Sequence, residues 1–257
     1  MEFAVINGSK YAKKTMSESL KTYPAHLARL REAFSRDHAL HLAVGGSFHA
    51  SGRLQYLLMR ELGVGPDSVV IDVGCGSGRL AVHLAQHPEL QYLGTDVVPD
   101  LLEYAKKLTN RIDWRFELTD GALIPAADSS ADFVCFFSVL THLKHEESYK
   151  YLAEAKRVLR PDGRIVFSFL EFERPFHWAV FAGQLAGSPP GTPLTQFMDR
   201  HGIAAWTHHL GLKIEKIFDG GVPHIKIDEE IRWDDGRVQT GLGDIGHSVA
   251  VLSKIPD

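Results

Sequence analysis

The chain has 257 residues, 44% of them apolar and 23% charged, with a formal net charge of −4. That length suits one sizeable α/β domain, and that charge gives no electrostatic case for a nucleic-acid partner. The only two cysteines, Cys75 and Cys135, cannot make a disulfide framework and read as free thiols in a reducing compartment.

The first ten residues lack a basic start followed by a long apolar core, so no secretory signal is expected. No window approaches the roughly 20 apolar residues of a membrane span. A soluble, cytoplasmic protein is therefore expected. Pro24 suits a helix start, with Leu27, Leu30 and Phe34 on one face. The stretch 44–52 reads as a loop. Ser51 is placed to cap a helix whose stripe is Leu54, Leu57, Leu58 and Leu62, ended by Gly63-Val-Gly65-Pro66.

Residues 69–78 read Val-Val-Ile-Asp-Val-Gly-Cys-Gly-Ser-Gly. Branched apolar residues make a buried strand closed by Asp72, and Gly74, Gly76 and Gly78 form a turn where backbone can lie against a ligand. A helix is expected over 79–85, its N-terminal amides directed at that ligand. A second strand over 91–96 ends in Asp96, where doubly wound folds place an acid that accepts from ribose hydroxyls. A nucleoside-containing ligand is the reading. Arg79 stands where the dinucleotide fingerprint needs its third glycine, which weighs against NAD.

Pro99 and Asp100 start the next helix, and strands follow over 113–116 and 132–140. The helix over 144–159 carries Glu146 and Glu147 early and Lys156 and Arg157 late, which complements its dipole. Leu159-Arg-Pro-Asp-Gly163 leads into a fifth strand over 164–170. The connection 171–193 is long, aromatic (Phe172, Phe176, His177, Trp178, Phe181) and ends near Ser188-Pro-Pro-Gly191. It reads either as a substrate lid or as a helix on the core edge. A helix over 195–209 and strands over 212–218 and 247–254 complete the chain. Between those strands, 224–227 and 237–240 pair as an added hairpin turned at Asp234-Asp235-Gly236.

With Asp72-x-Gly74-x-Gly76-x-Gly78, Thr95-Asp96, Thr119-Asp120-Gly121, Asp132-Phe-Val, Ser138-Val-Leu and Leu159-Arg-Pro-Asp-Gly163 in that order, the chain resembles the class I S-adenosylmethionine (SAM)-dependent methyltransferases. The resemblance spans 69–170, with the tail supplying the last two strands. It implies an α/β fold with a doubly wound, seven-stranded, mostly parallel Rossmann-like sheet. An N-terminal helical cap over 1–50 would precede a SAM-binding domain over 51–257, with the lid at 171–193 and the hairpin at 220–245.

By the same resemblance, Asp72, Gly74, Gly76 and Gly78 would surround the methionine part of SAM. Asp96, with Val97 beside it, would hold the ribose, Asp120 and Gly121 would flank the adenine, and Ser138 would lie beside the cofactor. Cys75 is either a cofactor contact or filler. Phe48, His49 and Arg53 are lid candidates, as are Phe176, His177 and Trp178; Arg53 either meets the SAM carboxylate or is a solvated helix arginine. The product would be S-adenosylhomocysteine (SAH).

His142, just beyond the fourth strand, is the foremost general-base candidate, against an alternative of ordering the next helix; His49, His177, His224 and His247 are weaker ones. The 14 histidines show no metal-ligand spacing with an acidic partner, and Ser138 stands where metal-dependent members carry an acid. No Asn/Asp-Pro-Pro-aromatic motif follows strand four, as base-methylating enzymes would require. The expected function is methyl transfer to an oxygen or nitrogen of a small molecule, with no nucleic-acid, membrane or metal partner, by a monomer or homodimer. The alternatives are a non-catalytic SAM-binding protein and an NAD(P)-dependent oxidoreductase. None of the seven tyrosines has lysine four residues on, which disfavours the latter.

Overall fold

The computed structural model describes residues 18–187 and 192–256. The first part of the expected cap, residues 1–17, and Ser188–Gly191 of the expected lid lie outside the described residues. Nine strands are described: β1 Val69–Val73, β2 Gln91–Asp96, β3 Arg115–Leu118, β4 Ala131–Phe136, β5 Leu159–Phe169, β6 Leu212–Phe218, β7 Ile225–Arg232, β8 Val238–Gly243 and β9 Ser248–Lys254. Seven form one sheet in the order β3-β2-β1-β4-β5-β9-β6, and β7 and β8 pair separately. All neighbours in the large sheet are parallel except β9, which runs antiparallel between β5 and β6.

The order reverses between β1 and β4, the switch point where open α/β sheets bind ligands beyond the strands' carboxyl ends. The register aligns those ends, pairing Asp72 with Gly94 and with Cys135. Alternate residues of each strand feed opposite faces. Val70, Tyr92, Phe133 and Val251 pack on one side with Leu54 and Leu58. Ile71, Val134, Phe167 and Leu252 pack on the other with Leu152 and Ile203.

The helices are α1 Glu18–Ala33, α2 Arg36–Leu42, α3 Phe48–Glu61, α4 Ala81–Leu84, α5 Pro99–Thr109, α6 His145–Val158, α7 Pro175–Leu185 and α8 Arg200–Leu210. Pro24 lies inside α1 rather than at its start. Leu27, Leu40 and Ala43 of the first two helices pack on Val98 and Leu101 at the head of α5. That contact places α1 and α2 over the carboxyl ends of β1 and β2.

Several boundaries differ from expectation for local reasons. Ser47, in the left-handed region at φ 39°, turns the chain into α3, so Phe48, His49 and Ser51 are helical and the helix does not begin at a Ser51 cap. The expected boundary at 50/51 falls within α3. Strand β4 stops at Phe136, short of residue 140, because Ser138 sits at φ 60° and a 3₁₀ turn at Leu140–His142 follows. Strand β5 begins at Leu159 because Leu159 pairs with Ala131 and a register shift absorbs Arg160–Gly163. The helix expected from 195 starts only at Arg200, where Asp199 caps it by accepting from Gly202 N at 2.9 Å.

The hairpin does not stand free. Arg53 Nη2 lies 2.7 Å from both Asp228 and Glu229, and Arg60 lies 2.9 Å from Asp228. The two acids are substantially exposed, so Arg53→Ala is expected to cost at most about 1 kcal/mol in a urea titration. SAH affinity, measured by calorimetry, is expected to stay at the wild-type value.

Candidate functional site

A cavity of about 1130 Å³ opens at the switch point. Its wall takes Asp72, Gly74, Cys75, Gly76 and Arg79 from the glycine turn, Asp96 and Val97 from the end of β2, and Thr119 from beyond β3. Gly74 has φ 69°, and a Cβ there would lie 2.4 Å from Val139 Cγ2. The turn therefore excludes side chains both by backbone conformation and by contact with the end of β4. Gly78 faces away from the cavity, with Ala105 of α5 where its Cβ would be.

The two strand-end carboxyls in the wall, Asp72 and Asp96, are buried. Asp72 accepts from Tyr92 Oη at 2.8 Å, and Asp96 accepts from Gly76 N and Val98 N at 2.9 Å each. Asp96 thus ties the tip of β2 to the glycine turn. Burial pushes each carboxyl up to about 6, against the hydrogen bonds that favour ionisation. Arg79 is the cation between them and β4. It donates to Val44 O at 2.6 Å and to Ser138 Oγ at 3.3 Å, and Gln55, oriented to accept, lies 3.2 Å from its Nε.

His142 lines the same cavity. Its Nδ1 lies 2.6 Å from Leu194 O, a bond only an Nδ1–H can make, so neutral His142 keeps its lone pair on Nε2. Burial lowers its basicity, which keeps the ring uncharged near neutrality. The edge of Tyr23 packs against it at 5.3 Å. Thr141, beside it, is buried in the wall with no hydrogen-bond partner for Oγ1 among the described residues.

The wall thus gathers Asp72, Gly74, Cys75, Gly76, Asp96, Val97, Ser138 and His142 from three segments. Asp120 is exposed, and it and Gly121 lie outside the wall, where Thr119 and Tyr151 stand instead; Tyr151 Oη donates to Gly121 O at 2.8 Å. Of the lid candidates only Phe176 reaches the cavity. Phe48 is buried and stacked on His41, and His49 is exposed beside them. His177 is fully buried, accepting from Glu171 N and donating to Gly246 O. Trp178 packs on Phe181 outside the wall, and Arg53 is engaged by the hairpin.

Sequence reasoning left out Arg79, Tyr23 and Thr141, and the hairpin residues Trp233, Arg237 and Gln239, all of which line the cavity. Only Arg79, adjoining the glycines, carried a local signal. Among the described residues no group of three or more His, Cys, Asp or Glu could hold a metal ion, and no helix is long and apolar enough to cross a membrane.

A family model described as "Methyltransferase domain" matches residues 71–167. The chain is 29% identical over 195 residues to a malonyl-[acyl-carrier protein] O-methyltransferase of Hahella chejuensis, covering 73% of this chain and 65% of that protein, less than two thirds of its length. A TehB-like SAM-dependent methyltransferase from Corynebacterium glutamicum superposes at TM-score 0.55 and 21% identity, over 90% of this chain and all of that one. Magnesium protoporphyrin IX methyltransferase from Synechocystis PCC 6803, solved with bound SAH, does so at TM-score 0.55 and 18% identity, over 79% of this chain and 84% of that one. At these identities the structural likeness speaks to fold. Residues 71–167 therefore match a methyltransferase domain, and the sheet order and glycine turn give the chain the fold of the class I SAM-dependent methyltransferases.

Proposed function

We propose that the protein moves a methyl group from SAM to an oxygen or nitrogen of a small molecule. The observation that carries this reading is a cavity whose wall holds the strand-end acids together with the apolar side chains of Phe176, Val180, Trp233 and Val238, with His142 in the same wall. At about 1130 Å³ it exceeds the roughly 300–1,000 Å³ typical of one bound small molecule, which suits two ligands side by side.

The residues present fit SAM. Asp96 offers a buried acceptor for ribose hydroxyls, and Val97 and Thr119 border the place of the base. Asp72 and Arg79 are complementary in sign to an amino-acid ammonium and carboxylate. Cys75 and Ser138 complete that wall. When bound, SAM supplies a methyl group activated by its sulfonium. The chain then holds the acceptor in line, excludes water, and for a hydroxyl acceptor takes a proton on His142 Nε2. Orientation of this kind contributes up to about 7–11 kcal/mol in the best intramolecular models, and a positioned base typically about 10²–10⁴-fold.

The negative net charge supports a small-molecule partner over nucleic acid. The two buried free thiols support a reducing, cytoplasmic setting, for a monomer or a homodimer. Calorimetry with SAM, SAH and NADH tests the reading. Micromolar binding of the two adenosyl ligands and none of NADH is expected, and NADH binding alone overturns it.

The raised carboxyls give this binding a pH dependence. Asp72 and Asp96 are ionised above about pH 6, and only that form gives ligand donors a charge-assisted hydrogen bond. SAH affinity is therefore expected to be level above about pH 7 and to fall below 6, by up to about tenfold per unit for one proton. Ligand-free stability follows the opposite sign. At these two carboxyls the folded state binds more protons than the unfolded chain between about 4 and 6, so their own contribution to stability drops as pH rises through that window, while the lowered His83 and His247 act in the opposite direction. Isothermal titration across pH checks the first, and the difference between urea titrations of wild type and Asp96→Asn across pH checks the second.

A further inference from the structure

His247, at the head of β9, faces the same cavity as His142 but is held in a different way. Ser168 Oγ, almost fully buried, accepts from Ser138 N at 2.7 Å and lies 3.4 Å from His247 Nδ1. The serine hydroxyl has one proton to place, and among the described residues His247 Nδ1 is the acceptor it reaches. Donation there leaves the neutral ring with its proton on Nε2. His177, whose ring stands edge-on to His247 at 6.1 Å, pins the preceding residue through Gly246 O at 2.9 Å. Burial, with the fields of His177, Arg79 and His142, pushes His247 down to about 3, so it stays uncharged at every working pH. His142 shows the reverse tautomer, its Nδ1–H spent on Leu194 O.

We propose that His247 orients the methyl acceptor, its Nε2–H donating to the same hydroxyl oxygen whose proton His142 Nε2 accepts. This rests on the methyltransferase reading and narrows its substrate class to a neutral phenol or alcohol. Such an oxygen gives its proton to one imidazole, accepts from the other, and keeps a lone pair for the methyl. The O–H bond breaks as the O–CH₃ bond forms, the proton ends on His142, and the electron pair of the S–CH₃ bond stays on sulfur. A carboxylate acceptor would need a cation to hold it. Arg79 already faces the place of the SAM carboxylate, and Arg237 pairs with Asp235 at 2.7 Å over the Trp233 ring. Asp72, Asp96 and Asp244 add negative charge to the same wall. The orphaned Thr141 hydroxyl is a further polar group for a hydroxylated ligand.

The test uses the full chain loaded with SAH, 4-nitrophenol as probe, and 4-nitroanisole as the same ring without the hydroxyl. Nitrophenol is expected to bind at least about tenfold more tightly than nitroanisole, equal to about 1.4 kcal/mol. Its ionisation, read from absorbance, is expected to fall about one pH unit lower on the wild-type protein than on His247→Phe. His142→Phe should remove the preference over nitroanisole. Equal ionisation on wild type and His247→Phe, no preference between the probes, or binding of neither overturns the proposal. The ¹⁵N imidazole spectrum of the wild-type protein decides without any variant: His247 as the Nε2–H tautomer supports it, and the Nδ1–H tautomer overturns it. Failure to bind SAH would count against the methyltransferase reading. SAH binding with an unshifted nitrophenol counts against His247 alone.

Discussion

Asp96→Ala is expected to weaken SAH binding roughly 10- to 150-fold, as measured by calorimetry at pH 8. The carboxylate ends β2 inside the cavity, and a charge-assisted hydrogen bond to a ribose hydroxyl is worth about 1.5–3 kcal/mol. The same oxygens take Gly76 N and Val98 N at 2.9 Å, so the alanine variant also strands two buried donors at about 1–3 kcal/mol each. Relief from burying a carboxyl raised to about 6 offsets part of that cost. Asp96→Asn separates the effects, since it keeps the shape and loses the charge. An alanine variant that melts normally and binds SAH like the wild type would end the ribose assignment.

Glu171→Ala is expected to lower the melting temperature by about 6–12 °C. Glu171 leaves β5 with a side chain only 4% exposed, accepts from Arg200 Nε at 2.8 Å and Nη2 at 2.7 Å, and takes the Ser248 hydroxyl. Arg174 approaches it at 3.4 Å, and Asp219 shares both arginines. Removing one partner of a buried pair costs about 3–5 kcal/mol; the arginines are partly exposed, so the lower end applies, and each kcal/mol shifts a chain this size by about 2–4 °C. Burial alone would raise the Glu171 carboxyl, but the Arg200 and Ser248 hydrogen bonds outweigh it and hold it below the ordinary carboxylate range. Its stabilisation is therefore complete above that range and lost as pH falls through the depressed value. Melts of wild type and variant should converge in acid, and a constant gap would rule out the carboxylate as the source.

The network around Glu171 joins β5, α7, α8, the end of β6 and the start of β9. Because His177 and Ser248 belong to it and flank His247, loss of Glu171 is expected to disturb the acceptor end of the cavity more than the SAM end. No local pattern announces such a cluster, since Glu171, Arg200, Asp219 and Ser248 are far apart in sequence and each is ordinary in its own context.

The local sequence determined what depends on neighbours along the chain. Three branched residues, one aspartate and three alternating glycines are enough for strand, stop and turn, so β1, β2 and the turn between Asp72 and Arg79 were legible at once. The polarity of charge along 144–159 marked the body of α6, and β6 lies at the expected 212–218. Short-range patterns lost accuracy where a single backbone conformation or a distant partner intervened. Ser47 and Ser138 in the left-handed region moved the start of α3 and the end of β4, and pairing with Ala131 pulled the start of β5 back to Leu159. Which side chains meet in the cavity was decided by the tertiary structure alone. Arg53 and His177 carry the right chemistry, but Asp228 and Glu229 draw Arg53 onto the hairpin, and Glu171 with Gly246 draws His177 into the core. Tyr23, Trp233 and His247 reach the wall because α1, the hairpin and β9 converge on the carboxyl ends of β1 and β4. That convergence is set by packing between segments far apart in the chain, which no spacing within one segment encodes.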